Sequence, residues 1–275
     1  MLIPRGLTCP VCGGKLEKSD NSLKCEAGHS FDFAKSGYIN LLNPGKKNNA
    51  KAGESKEMIQ ARSSFFAYGY YGKIREFLID LIKDYNKDLI VDAGCGEGYY
   101  TEGIADRYPE SAVIGFDMSK HGTERGAKSS KANGITNTFY AVSNIFNMPL
   151  ENESADIVIN MFAPVSYEEF ARVLKKGGYL IIGAAGAKHL LGMKSVLYEN
   201  VYLNELNVHK NEKFEYVGIK NLTYVAEICG NDAIMKLFTM TPYYHHTSDG
   251  DKEKLSALDS LSTTIEVDFT VLKKL

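Results

Sequence analysis

From residue 88 onward the chain alternates short apolar runs with segments whose apolar residues recur every three or four positions. The runs at 88–92, 112–117, 136–142, 155–161 and 178–184 predict strands, and the periodic segments at 97–108, 119–132, 167–175 and 188–204 predict helices around them. That alternation predicts an α/β fold, a doubly wound Rossmann-like sheet covered on both faces. Residues 214–228 and 263–272 are rich in β-branched and aromatic side chains, and predict two late antiparallel strands that close the sheet. Upstream, Ser55 caps a predicted helix over 56–66, in which Met58, Ile59, Arg62, Phe65 and Phe66 fall at helical spacings. The aromatic stretch Tyr68-Gly69-Tyr70-Tyr71-Gly72 then leads to a second predicted helix over 74–83. Almost no apolar residue occurs in 43–53, so the expected organisation is a small unit at 1–42, a linker at 43–54 and a main domain at 55–275.

At 275 residues and 44% hydrophobic, the chain can bury one sizeable core plus a small appendage. No run approaches the roughly eighteen apolar residues of a membrane span, and Met1–Gly6 lacks the apolar core of a signal peptide. A cytoplasmic address without membrane attachment is the expectation. The net charge of −2 conceals an asymmetry: residues 1–62 carry ten Lys/Arg against six Asp/Glu, so the front is +4 and the rest −6. A basic front on an acidic body suits contact with RNA, and is equally compatible with an ordinary solvated surface.

The first strand of the main domain ends in Asp92-Ala93-Gly94-Cys95-Gly96-Glu97-Gly98 and opens a helix. Glycines 94, 96 and 98 let the backbone turn sharply and approach a ligand, while the first helical turn presents unpaired N–H groups. The spacing is G-x-G-x-G and departs from the G-x-G-x-x-G of dinucleotide sites. It resembles motif I of the class I S-adenosylmethionine-dependent methyltransferases. Asp117 closes the second strand twenty-one residues after Gly96, where an acid accepts from both ribose hydroxyls of a nucleoside. Asn144 and Ile145, after the third strand, are candidates to bracket an adenine ring, although an ordinary loop explains them as well. Cys95, between glycines and without a histidine in local register, fits a small packing role better than a nucleophilic one.

The other cluster is Cys9-x2-Cys12, twelve residues, then Cys25-x3-His29. Each pair can reach one tetrahedral ion from a tight turn, and four protein ligands close the shell, so a single structural Zn2+ is expected. A short segment with little core of its own needs such a staple. Lys15, Lys18, Lys24 and Lys35 beside it are compatible with an RNA-contacting arm or with a structural cap.

These two motifs occur together with Phe31-Asp32-Phe33-Ala34-Lys35-x-Gly37-Tyr38-Ile39-Asn40-Leu41-Leu42 and Phe162-Ala163-Pro164. In that combination the chain resembles the bacterial 23S ribosomal RNA guanine-N1 methyltransferases, from the first cysteine to at least Thr241-Pro242. The resemblance implies a class I methyltransferase fold with a small N-terminal zinc-binding domain that contacts RNA. It implies S-adenosylmethionine as cofactor, a homodimer, and a target guanine in a hairpin loop of domain II of 23S rRNA. It places the metal ligands on Cys9, Cys12, Cys25 and His29, and cofactor contacts on Tyr71, Gly96, Glu97 and His189. By itself, His189 after the fifth strand reads as a surface histidine. The cofactor contacts expected from motif and resemblance together are Tyr71, Asp92, Gly94, Gly96, Glu97, Gly98, Asp117, Asn144, Ile145 and His189.

Methylation of guanine N1 requires that its Watson–Crick edge be unpaired and that N1 lose a proton. The fourth strand ends in Phe162-Ala163-Pro164, without the Asn/Asp-Pro-Pro-aromatic element of exocyclic-amine methyltransferases or the Pro-Cys of 5-methylcytosine enzymes. Phe162 is a candidate to stack on the base, and no general base stands out. Two alternatives stay open: a small-molecule methyltransferase, and a zinc-dependent RNA-binding protein on an idle methyltransferase fold.

Overall fold

The computed structural model describes residues 2–43, 45, 55–206 and 208–275, so the predicted linker lies outside the described residues apart from Asn43 and Gly45. Near the N-terminus, β1 (Glu17–Ser19), β2 (Ser22–Lys24) and β3 (Ser30–Asp32) form a three-stranded antiparallel sheet, followed by β4 (Ile39–Asn40). Helices α1 (Lys56–Ala67) and α2 (Gly72–Leu81) precede the regular alternation. That alternation runs β5 (Leu89–Ala93), α3 (Tyr99–Arg107), β6 (Ala112–Asp117), α4 (Lys120–Ala132), β7 (Thr138–Val142), β8 (Ala155–Met161), α5 (Tyr167–Val173), β9 (Leu174–Ala185) and α6 (Leu191–Leu197). The chain closes with β10 (Phe214–Cys229), α7 (Asn231–Thr239), a short 3-10 turn at Pro242–His245, α8 (Asp249–Ser256) and β11 (Ser260–Lys274).

Eight strands form one sheet in the order β10-β11-β9-β8-β5-β6-β7-β4, parallel except for the antiparallel pairs β9/β11 and β11/β10. All five residues of β5 and all seven of β8 are buried, as expected of parallel strands covered on both faces. After β5 the chain winds outward through β6 and β7 and returns to β8 on the other side of β5. The strand order therefore reverses between β5 and β8, and the crevice beyond their C-terminal ends is where such sheets bind ligands.

The N-terminal segment joins this sheet. Ile39 and Asn40 pair in parallel with Ala141 and Val142, Leu7 bridges Leu150, and the Phe33 ring meets Phe139 edge-on at 6.2 Å. Leu7, Leu23, Phe33, Ile39 and Leu41 share one apolar core with Ile114, Phe116 and Phe139.

Element boundaries differ from expectation in three regions. The helix predicted over 167–175 ends at Val173, because Leu174 turns extended at ψ 136° and starts β9 four residues before the predicted strand. The helix predicted over 188–204 is α6 alone. Leu190 enters it at φ +57°, Tyr198 leaves it extended, and Asn204 folds back to hydrogen-bond Gly186 and Ala187 carbonyls. The late strands start or end beyond 214–228 and 263–272, and β11 begins at Ser260.

Candidate active site and metal centre

The turn after β5 is the glycine corner. Gly94, Gly96 and Gly98 sit at φ +91°, +53° and +79°, conformations that favour glycine. Space is equally restrictive: a Cβ on Gly94 would stand 2.5 Å from the Ala163 Cβ, and one on Gly96 2.6 Å from an Arg62 guanidinium nitrogen. Gly98 is the N-terminal boundary of α3. The Asp117 carboxylate, at the end of β6, accepts from the Gly96 N–H at 2.9 Å and the Ser119 N–H at 2.6 Å, tying the corner to the next strand. Arg62 on α1 clamps Glu97 through Nε at 2.8–3.0 Å and Nη2 at 2.7 Å, and Glu97 is buried.

Asp92 is fully buried. Its Oδ2 accepts from Thr101 Oγ1 at 2.6 Å, while Oδ1 has no hydrogen-bond partner among the described residues. Burial pushes its carboxyl up to about 7, opposed by the Thr101 hydrogen bond and reinforced by Asp117 and Glu97. Cys95 is buried with Tyr38, Ala127, Tyr140 and Val142, and burial raises its thiol well above the usual range, which is a packing environment. Asn144 spends its Oδ1 on the Phe146 N–H at 3.0 Å, and Ile145 packs in the core with Met148 and Leu150.

Across the crevice, Tyr71 and His189 meet at 3.2 Å through the hydroxyl and Nε2. His189 Nδ1 accepts from the Glu266 N–H at 3.2 Å, so the proton of the neutral ring is on Nε2 and is donated to the Tyr71 oxygen. Burial holds this imidazole down at about 4, so it is neutral at physiological pH. Tyr71 therefore keeps its own O–H to donate elsewhere. His189 is only 7% exposed, which corrects the expectation of a surface histidine. Its neighbour in the mouth is Phe162, 44% exposed, with ring centroids 6.0 Å apart. Phe162 directly follows β8 at φ +53°, an unusual backbone for an aromatic residue, held by its N–H on the Gly183 carbonyl at 2.8 Å. Asn160 Nδ2 reaches both the Ala93 and Pro164 carbonyls, at 2.9 and 3.2 Å, fixing this loop against the glycine corner.

In the N-terminal unit, the Sγ atoms of Cys9, Cys12 and Cys25 and a His29 ring nitrogen all lie within 4.8 Å of one another. Cys12 and Cys25 sulfurs are 3.7 Å apart, and His29 Nδ1 is 3.3 Å from Cys25 Sγ and 3.6 Å from Cys9 Sγ. A tetrahedron with Zn–S arms of about 2.3 Å sets sulfurs about 3.8 Å apart, so the donor set fits Zn2+. Burial pushes the Cys25 thiol up, but hydrogen bonds from His29 and the other two cysteines prevail and bring it to about 6, favouring the thiolate that a metal needs.

A methyltransferase-domain family matches residues 86–240, and the zinc-ribbon family described as "RlmA, N-terminal" matches residues 7–51. The chain is 28% identical to the 23S rRNA (guanine(748)-N(1))-methyltransferase of Streptomyces fradiae, over 99% of this chain and 98% of the relative. Two proteins whose names assign the 23S rRNA (guanine-N(1)-) activity provisionally are also similar. One, from Micromonospora griseorubida, is 33% identical over 69% of this chain and 68% of its own length. The other, from Bacillus subtilis, is 28% identical over 96% and 95%. The chain belongs to the 23S rRNA (guanine-N1)-methyltransferase family.

As a member of that family it is an S-adenosylmethionine-dependent methyltransferase with an N-terminal zinc ribbon, and its corner fits that cofactor. Three carboxylates, Asp92, Glu97 and Asp117, gather at the corner, a donor set suited to a cationic ligand that carries hydroxyls. Besides Asp92 Oδ1, the buried Ser143 Oγ and Tyr100 hydroxyl have no hydrogen-bond partner among the described residues. Ser143 directly follows β7 and its N–H bonds the Asp117 carbonyl at 2.9 Å, beside the predicted ribose site. Sequence reading passed over Ser143, Arg62 and Asn160. Position at a strand end was the available signal for Ser143 and Asn160, whereas Arg62 sits on a helix that only tertiary packing brings to the corner.

Proposed function

We propose that this family member transfers the methyl group of S-adenosylmethionine to N1 of a guanine in a hairpin loop of domain II of 23S rRNA, acting in the cytoplasm as a homodimer whose zinc ribbon contacts the RNA. The observation that carries this reading is the packing of Ala163 directly on Gly94, which sets the loop after β8 against the cofactor corner. Methyl transfer needs donor and acceptor in line at contact distance, and positioning accounts for most of the acceleration. S-adenosylmethionine supplies an electrophilic methyl group on a sulfonium.

In this reading Asp117 and Ser143 hold the nucleoside end, with Asn144 and Ile145 along the adenine. Asp92 and Glu97 face the cationic end, Glu97 being kept in place by Arg62. The hydroxyl of Tyr71, oriented by neutral His189, donates into the crevice from outside the sheet. Phe162 is the stacking surface for the guanine, its exposure and strained backbone being those of a residue held for contact rather than packing. N1 of the guanine would take the methyl group in line and release its proton to solvent water.

The four-ligand ribbon supports an RNA acceptor over the small-molecule alternative. N1-methylguanine blocks pairing, so primer extension on 23S rRNA from cells lacking the gene is expected to lose one stop in domain II, restored by the intact gene. An unchanged stop pattern overturns the reading. Calorimetry with S-adenosylmethionine addresses the idle-scaffold alternative, for which no heat of binding is expected.

A further inference from the structure

The segment Phe31–Leu42 is the one sequence motif that neither the metal centre nor the crevice uses. Its middle is a tight turn in which the Gly37 N–H bonds the Ala34 carbonyl and the Ala34 N–H bonds the Tyr38 carbonyl, both at 2.8 Å. Gly37 takes φ +100° to close it, and Lys35 and Ser36 are carried outward. Facing this turn is the C-terminal end of α4. Between them opens a groove of about 450 Å³, with Lys35 and Ser36 on one wall, Ser130 and Lys131 on the other, and Phe33 and Tyr140 at its floor. Among the described residues, no Asp or Glu lines it. Acids stand near it: Glu102 accepts from the lining Ser130 at 3.4 Å and from Asn133 at 2.8 Å, and Asp20 and Asp32 are the chain neighbours of the lining Asn21 and Phe33.

The groove and the methyl-transfer crevice lie toward opposite ends of β7. Thr138 lines the groove and Ser143 follows the strand beside Asp117, about 16 Å apart at about 3.3 Å per residue, and Tyr140 between them lines the groove and packs beside Gly98 of the glycine corner. A nucleotide held here is therefore not the one being methylated. Ser130 is buried, its hydroxyl bonded to Tyr140 at 3.0 Å, whereas Ser36 and Thr136 are accessible. A rim of Lys35 and Lys131 with these two hydroxyls over an apolar floor is complementary to a sugar–phosphate strand, with lysines on phosphates, hydroxyls on ribose, and the floor beneath a base edge.

We propose that this groove is a second RNA-binding site, in which Lys35 and Lys131 clamp the backbone of the rRNA substrate away from the target guanine. The inference rests on an rRNA substrate and extends that reading to a second point of contact. It also gives the ribbon a mechanical purpose: with Ile39 and Asn40 zipped onto β7, one wall of the groove is ribbon and the other is catalytic body.

The test is the salt dependence of rRNA binding by the full-length zinc-loaded protein, using deproteinised 23S rRNA and the double variant Lys35→Gln/Lys131→Gln. Each lost phosphate contact flattens the slope of log K against log salt by about 0.7–0.9, so the double variant is expected to be flatter by about 1.5, with affinity at low salt about tenfold weaker. Ser36→Trp, which fills the groove without changing charge, is expected to weaken binding while leaving the slope per remaining contact in place. Zinc content and S-adenosylmethionine affinity are expected to match wild type in both. Equal slope and equal affinity in the lysine variant overturn the proposal. So does weakened binding to assembled large-subunit particles with naked rRNA unaffected, which assigns the groove to a ribosomal protein instead. Because the readout is binding, it stands apart from the methylation test: wild type that binds rRNA but produces no stop fails the proposed reaction and leaves the groove intact.

Discussion

Asp92 is a carboxylate placed where water does not reach, with one oxygen satisfied by Thr101 and the other without a partner among the described residues. Its folded value of about 7 lies above the usual carboxylate value of 3.8. An acid whose folded value is raised binds more protons folded than unfolded, so the chain loses stability as pH rises from about 4 to about 7 and stays at that lower level above. Asp92→Asn keeps the shape and the Thr101 contact while removing the charge. It is expected to melt roughly 5 °C higher than wild type at pH 8, with the difference shrinking at pH 5, in thermal denaturation at both values. The same substitution is expected to weaken S-adenosylmethionine binding and to abolish the rise in affinity expected of wild type through pH 7, as calorimetry across pH 6–8 would record. A variant that is both no more stable at pH 8 and equally pH-dependent in binding removes Asp92 from this role. The chemistry of Asp92 was legible from its place at the strand end. The partnership of Tyr71 with His189 was not legible in residue pattern alone, because 118 positions separate them and only the fold brings them together.

At the scale of elements, α4 shows how a helix is shaped by what it must approach. Ser119 caps it by accepting from the Gly122 N–H at 3.2 Å, as Ser/Thr-started helices do. Gly122 and Gly126 then fall on one face, one turn apart. A Cβ at Gly122 would stand 2.7 Å from the Gly96 carbonyl oxygen, and one at Gly126 2.7 Å from the Tyr140 ring. Glycine lowers helix propensity by about 1 kcal/mol against alanine, and here it admits α4 to the glycine corner. Gly122→Ala is therefore expected to lower the melting temperature and weaken S-adenosylmethionine binding at least tenfold, because the opposing atoms are backbone. Gly250→Ala in α8, where nothing lies within 4 Å, is expected to raise the melting temperature slightly. Equal effects of the two substitutions would contradict the packing argument. The alternation of strands and helices, and the two closing antiparallel strands, were written in local periodicity. What local periodicity lacked was the limits of α6, since Leu190 enters it through a left-handed backbone and Asn204 folds back through contacts that only the assembled sheet offers.

For the whole molecule the decisive feature is that the metal-binding unit and the catalytic body share one core. The charge pattern and cysteine spacing read as a separate small unit, because pairing of Ile39 and Asn40 with a strand a hundred residues later leaves no local trace. Leu7, Leu23, Phe33, Ile39 and Leu41 bury their side chains against the body, each a burial of about 1.5–3 kcal/mol. The ribbon has three very short strands of its own, so a bound ion would hold the turns from which these side chains project. Loss of the metal is accordingly expected to propagate past the ribbon to the β7 edge of the sheet. Chelation at neutral pH, or Cys12→Ser, is expected to lower the melting temperature of the main transition by about 5 °C or more. It is also expected to remove exchange protection from the Leu41 N–H, which bonds the Val142 carbonyl at 2.9 Å, before that of Ile157 and Ile159 in central β8. Added Zn2+ is expected to restore both in the chelated protein, with affinity falling as pH drops, since the cysteines must be thiolates to bind. A main transition that holds its temperature after complete metal loss would mean that the ribbon is an appendage and the shared core contributes little to the sheet.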